Sequence, residues 1–188
     1  MKFAPKAVLV TALLPVLAIG ACGGSDEEGE SAAIDAAFSA QMLPHHQHAV
    51  EMATLAVEKG SDPGVTELAQ GILDTQEAEI TELEGFLERF DASAEEAADE
   101  VMALNEGVIA ELDAATGPEF DEIFLKEMSA HHSSAVDMAG LEIAGGSDEE
   151  VVALAESIQA IQIEEIGTMQ ELMGLSASPV GAHGGPTE

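Results

Sequence analysis

The sequence repeats itself after 86 residues, and this repeat limits the possible folds more than any other feature. Residues 35–53 match residues 121–139, residues 60–62 match residues 146–148, and residues 68–80 match residues 154–166, with no gap. A short helix–loop–helix unit cannot bury its apolar face alone, so two copies are expected to pack against each other. The repeat therefore predicts one domain made of two similar halves.

Apolar residues recur at three- and four-residue steps in both copies, which is typical of amphipathic helices. Gly60 to Pro63 should end one helix and cap the next, and Gly145 to Asp148 should do the same in the second copy. No alternating strand pattern occurs. We predict an all-α four-helix bundle over residues 32–175, with repeats at 35–90 and 121–174, main helices at 32–59, 63–90, 119–144 and 148–174, and a connecting helix at 94–114.

The N-terminal segment has the pattern of a lipoprotein signal. Lys2 and Lys6 precede an apolar run, and small residues lead into Cys22, the only cysteine. We expect residues 1–21 to be removed and Cys22 to be lipidated, leaving the domain outside the cytoplasm and attached to the membrane by its lipid. The alternative is a cleaved signal with an incidental cysteine. Residues 22–31 are predicted to be a flexible acidic tether, and residues 176–188 a disordered tail.

The charge balance narrows the set of partners. The chain has 5 basic and 37 acidic residues, a formal net charge of -32. Such a field repels a phosphate backbone, and the chain has no Trp or Tyr for base stacking, so nucleic-acid binding is excluded. Cations are the partners that this field attracts, although most of the acidic residues are explained by a solvated surface.

Methionine and histidine share one helical face in each copy. At about 100° per residue, Met42, His45, His46 and Met52 fall in one sector together with Asp35. The second copy repeats the pattern with Met128, His131, His132 and Met138. Thioether and imidazole ligands favour Cu(I), and we also consider Cu(II), Ag(I) and Zn(II). Weaker candidate ligands are His48, Met169 and Met173.

Each candidate also has a structural explanation. A methionine stripe commonly fills a core, whereas paired histidines on an apolar face need polar partners when buried. Glu79 and Glu165 are candidate partners for those histidines. Met102 and His183 have no counterpart and are not expected to be ligands, and Pro44 should kink or restart the first helix. The sequence leaves open whether the copies form one shared site or two.

The motif residues also carry a family resemblance. The pattern D-x2-F-x3-M-x2-H-H-x2-A-V-x-M-A, followed by L-A and Q-x2-E-I, occurs twice between residues 35 and 166. It resembles a bacterial family of secreted, often duplicated helical proteins whose function is not defined. The resemblance implies a ferritin-like bundle, copper binding through Met and His, and a part in copper tolerance or delivery. Leu83 and Pro44 depart from the pattern and argue against equal occupancy of two sites.

Four functions remain open at this point. The first is a binding protein without catalysis that sequesters or delivers copper, with unidentified donor or acceptor proteins. The second is a metal-dependent oxidase, which would need an open coordination position. The third is a haem-binding bundle with His and Met axial ligands, and the fourth is a structural bundle. No nucleophile–base pair or Gly-rich phosphate loop predicts a different enzyme.

Overall fold

A computed structural model describes residues 25–95 and 107–175, with side chains from residue 31 onward. Within these ranges the protein is all-α and contains no strand. Four long helices form it: α1 (Ser25–Lys59), α2 (Pro63–Phe90), α3 (Pro118–Gly145) and α4 (Glu149–Leu172). The all-α prediction is confirmed. In residues 25–95 and 107–175, no helix is both long enough and apolar enough to cross a membrane.

The helix bounds follow the predicted ones closely, with one exception. Helix α1 begins at Ser25, inside the segment predicted to be a flexible tether. The sequence there is rich in Asp and Glu, which are favoured near the positive end of a helix. Helix α1 also continues through Pro44 rather than restarting there, since proline removes only one hydrogen bond of the helix.

Several predicted features lie outside the described residues. These are the signal and Cys22, most of the connecting helix, Met102, His183 and the C-terminal tail. The end of the connecting segment is described, and residues 107–114 are helical. Lys59, in the last turn of α1, donates a hydrogen bond to the Leu112 carbonyl at 3.2 Å, which fixes this segment against the bundle.

The helices pack as two hairpins. α1 lies along α2, α3 lies along α4, and α1 and α3 form the main contact between the hairpins. Both hairpin loops are capped as predicted: Asp62 accepts a hydrogen bond from the Gly64 amide, and Asp148 accepts from the Glu150 and Val151 amides. These carboxylates satisfy amide groups that a helix N-terminus leaves without a partner.

The apolar core is divided into two clusters, one at each end of the bundle. Cluster A lies near the loop at 60–62 and contains Ala49, Met52, Ala53, Ala56, Val65, Ala69, Ile72, Leu112, Ala115, Phe120, Phe124, Leu125, Met128 and Met169. Cluster B lies near the loop at 146–148 and contains Phe38, Met42, Leu43, Leu83, Phe86, Leu87, Ala135, Ala139, Val151, Leu154, Ala155 and Ile158. The start of α1 shares a cluster with the end of α3, so these two helices are antiparallel.

Each hairpin also holds the loop of the other through a buried aspartate. Asp121 on α3 accepts hydrogen bonds from the Ser61 amide at 2.9 Å and the Asp62 amide at 3.0 Å. Asp35 on α1 accepts from the Ser147 amide at 2.9 Å and the Asp148 amide at 3.2 Å. The two aspartates, which we call the cross-hairpin aspartates, therefore join the halves reciprocally. The helical wheel had placed Asp35 on the Met/His face, but its carboxylate binds this loop.

One of these two junctions contains an additional carboxyl group. Glu142 is 1% exposed and lies beside Asp35 and Gly146. A Cβ atom at position 146 would collide with Glu142 Oε1 and Asp35 Oδ1, so any side chain there would have to displace these carboxyl groups. The residue equivalent to Glu142 in the first copy is Ala56. Burial, together with the neighbouring Asp35 carboxylate, raises the pKa of Glu142 to about 8.

Candidate metal centre

A layer of polar side chains separates cluster A from cluster B in the middle of the bundle. Its centre is a group of five histidines from α1 and α3, which we call the histidine layer: His45, His46, His48, His131 and His132. The ring centroids of His45 and His131 are 3.7 Å apart, and those of His48 and His131 are 5.3 Å apart. The structure thus brings the histidine pairs of both copies into one group.

Two histidines of the layer are held by carboxylates in the same way. His46 Nε2 lies 2.9 Å from Glu79 Oε2, and His132 Nε2 lies 2.7 Å from Glu165 Oε2. Both rings are fully buried. The two pairs occupy matched positions in the repeat, and each lies within its own hairpin. Glu79 and Glu165 were candidate histidine partners in the sequence, and both make the contact.

Most of the other imidazole nitrogens of the layer have no hydrogen-bond partner within the described part of the chain. Seven of them are buried with no hydrogen bond: Nδ1 of His45, His46, His48, His131 and His132, and Nε2 of His48 and His131. A buried polar atom without a partner is costly, and native proteins almost always satisfy such atoms. An ion or buried water molecules in this layer would supply the missing partners.

The electrostatics of the layer keep several of these rings neutral. Burial lowers the pKa of His45 to about 3, and the nearby His46, His132 and His48 contribute to the shift. Burial also lowers the pKa of His48, and it holds the pKa of His131 well below the usual range, with a further contribution from His45. A neutral imidazole is the form that coordinates a metal ion.

The methionines lie on both sides of the layer rather than within it. Met42 and Met138 pack in or against cluster B, whereas Met52, Met128, Met169 and Met173 pack in or against cluster A. Met42 and Met128 each precede a histidine of the layer by three residues, which places them on the same helix face, one turn away. They are therefore the thioethers nearest along the chain to the histidines.

Histidine and carboxylate alone do not complete a metal shell. Among residues 25–95 and 107–175, no group of three His, Cys, Asp or Glu side chains has the arrangement of a metal site. A bound ion would therefore need a methionine sulfur or a rearrangement of the rings. Hard cations prefer oxygen ligands, so a layer of imidazoles beside thioethers suits a soft ion.

Sequence reasoning left two features of the layer unassigned. His48 was only a weaker candidate because it falls at the margin of the Met/His sector on the helical wheel, yet its ring centroid lies 5.3 Å from that of His131. Gln76 and Gln162 are both buried, and within the described residues each has at least one side-chain polar atom without a hydrogen-bond partner. Both lie one turn before the glutamates that hold the histidines. Their shared position in the Q-x2-E motif was the available signal.

The fold and this layer define a class of helical bundle proteins with a buried His-rich centre. The chain belongs to the family described as Domain of unknown function (DUF305), whose model matches residues 35–173. Comparison with the curated proteins gives no match.

Solved structures of similar proteins support this assignment. A DUF305 fragment from Deinococcus radiodurans is 27% identical, with a TM-score of 0.68, and the match covers 75% of this chain and 95% of that one. A DUF305 protein from Streptomyces coelicolor, described as a candidate secreted protein, is 25% identical, with a TM-score of 0.67 and coverage of 75% and 92%. CopM in a Cu(II)-bound form is 30% identical, with a TM-score of 0.65 and coverage of 74% and 95%. CopM has also been solved in Cu(I)-bound and Ag-bound forms.

Proposed function

We propose that this protein binds copper, as Cu(I), in the histidine layer and sequesters it outside the cytoplasm. The observation that carries the proposal is the set of seven buried imidazole nitrogens without partners. CopM, which resembles this chain in fold, has been solved with Cu(I), Cu(II) and Ag bound, and these are soft or borderline ions. The acidic surface adds a field that attracts cations.

The burial of the layer favours sequestration over rapid exchange. His46 and His132 are fully buried, and His45 and His48 are nearly so. Delivery to a partner needs ligands that an acceptor can reach, whereas retention needs ligands shielded from water. His131 is the most exposed member of the layer, and we propose that the ion enters beside it. The same enclosure supports our proposal of a binding role without catalysis.

The location outside the cytoplasm is a part of this proposal that rests on the sequence. The signal pattern before Cys22 supports lipid anchoring, and the description of the Streptomyces coelicolor relative supports secretion. Thioether ligands suit such a compartment because methionine, unlike cysteine, does not form disulfides there.

The proposal is tested by anaerobic Cu(I) titration of the purified protein against a chromogenic chelator. We expect stoichiometric, tight binding in the wild type and none in a variant with His45, His46, His131 and His132 all replaced by alanine. His183→Ala is the matched control, because it removes the one histidine that lies outside both repeats of the sequence, and it should bind like the wild type. If the wild type cannot compete with the chelator, the copper proposal is wrong.

A further inference from the structure

Glu79 and Glu165 occupy matched places, and each contacts one nitrogen of a fully buried histidine. Their carboxylates can only accept a hydrogen bond when ionised, so the histidine must donate. A neutral imidazole carries one N–H, and the contact places it on Nε2. The other nitrogen, Nδ1, then has a free lone pair in both His46 and His132.

We propose that Glu79 and Glu165 are positioning residues that fix His46 and His132 in the Nε2–H tautomer, so that Nδ1 is the metal donor of each. The inference rests on the copper-binding function proposed above and adds the donor atom and the residues that select it. Nδ1 of both rings is buried and has no hydrogen-bond partner in residues 25–95 and 107–175, so an ion could bind there without breaking a contact that the structure shows.

The arrangement also explains why each hairpin needs its own glutamate. Glu79 lies on α2 and holds the histidine of α1, while Glu165 lies on α4 and holds the histidine of α3. Each hairpin therefore orients one histidine through contacts within itself. The other two close rings, His45 and His131, meet across the hairpin interface, and within the described residues neither has a carboxylate partner that fixes its orientation.

The tautomer is measured in the metal-free protein by long-range ¹H–¹⁵N correlation spectra of the histidine rings near neutral pH. For His46 and His132 we expect a pyridine-like Nδ1 and a pyrrole-like Nε2. A pyrrole-like Nδ1 in either ring, whether from the other tautomer or from a doubly protonated ring, overturns the assignment. Because no metal is present, this result does not depend on copper binding.

The positioning role is measured by Cu(I) competition with Glu79→Gln and Glu165→Gln. A glutamine can donate to Nε2 and so stabilise the opposite tautomer, which places a proton on Nδ1. Loss of such outer partners lowers metal affinity by about 10- to 100-fold, and we expect that loss in each variant, together with a changed Nδ1 signal. Glu82→Gln and Glu164→Gln are the controls, because they remove exposed charges from the same two helices.

The outcomes separate this inference from the proposed function. Tight binding by the wild type with unchanged affinity in both glutamine variants overturns the positioning role and leaves copper binding intact. Failure of the wild type to bind overturns the copper function and the positioning role, whereas the tautomer is decided by the spectra alone. Circular dichroism of each variant shows whether a lost affinity reflects an unfolded protein, and in that case the wild-type spectra decide the inference.

Discussion

At the scale of single residues, Glu142 and Met42 show why matched positions in a repeated sequence do not behave alike. Glu142 has alanine as its counterpart in the first copy, and it brings a second carboxyl group to only one of the two loop junctions. Met42 and Met128 are matched, but one packs in cluster B and the other in cluster A. The Glu142 case predicts a pH-dependent stability, and the methionine case predicts a change in Cu(I) affinity.

Glu142 should make stability depend on pH. Its pKa is near 8 in the folded protein and near 4.5 when unfolded, so the folded state retains a proton that the unfolded state releases. The stability that protonated Glu142 contributes is therefore fully present below about pH 4.5 and is lost as the pH rises through about 8. We expect Glu142→Gln to gain about 1 to 2 kcal/mol over the wild type across this range, allowing for solvent screening near the loop.

Urea denaturation at several pH values between 4 and 9 measures this difference. Glu156→Gln, which changes an exposed glutamate on α4, is the control and should follow the wild type. A constant difference between Glu142→Gln and the wild type over the whole range would show that the carboxyl group does not titrate between the two states.

Met42 and Met128 should be ligands as well as core residues. Leucine has nearly the same volume, so the double replacement Met42→Leu with Met128→Leu should cost less than about 1.5 kcal/mol of stability for each site. It removes both thioethers, and we expect Cu(I) affinity to fall at least about tenfold, or about 1.4 kcal/mol. Chelator competition and thermal unfolding measure the two effects. Met169→Leu is the comparison, because the first copy already has Leu83 there.

At the scale of helices, the sequence specified most of the fold and part of the site. Helix α2 has the predicted bounds because Asp62 and Pro63 are strong start signals, and Asp91 at φ 51° ends it. The cross-hairpin aspartates could not be predicted, because a helical wheel shows the face of a residue but not the loop that reaches it. The contact of His45 with His131 could not be predicted either, because it depends on how the two hairpins cross.

The cross-hairpin aspartates should contribute strongly to stability. Asp121 accepts hydrogen bonds from two backbone amides and the Ser61 hydroxyl, and hydrogen bonds to a charged group are worth about 1.5 to 3 kcal/mol. We expect Asp121→Ala to lower the free energy of unfolding by about 2 to 3 kcal/mol, because two backbone amides and the Ser61 hydroxyl lose a charged acceptor. Chemical denaturation measures the loss, and Asp137→Ala, an exposed aspartate on the same helix, should change little.

At the scale of the whole molecule, the two halves meet in one layer rather than forming two separate centres. The rings of His45 and His131 come from different hairpins and are in contact, and His48 approaches the same partner. The sequence left one site and two sites equally open. The closeness of the rings favours a single shared centre, since an ion bound by one pair would lie against the other.

A shared centre predicts how binding fails when only one half is changed. Replacing His131 and His132 with alanine should abolish tight Cu(I) binding altogether, because a shared centre then loses the His131 ring that lies against both His45 and His48. Two independent sites would instead leave half of the stoichiometry. Anaerobic titration of this variant and of the matched His45→Ala with His46→Ala variant, each against the wild type, measures the remaining binding ratio.

The reciprocal position of Asp35 and Asp121 has a consequence for relatives of a different length. Each hairpin closes its partner's loop and depends on that partner to close its own. A natural chain that carried only one hairpin would have an aspartate with no loop to bind and a loop with no aspartate. Such a chain would have to pair with a second molecule of itself about a twofold axis to build the same bundle.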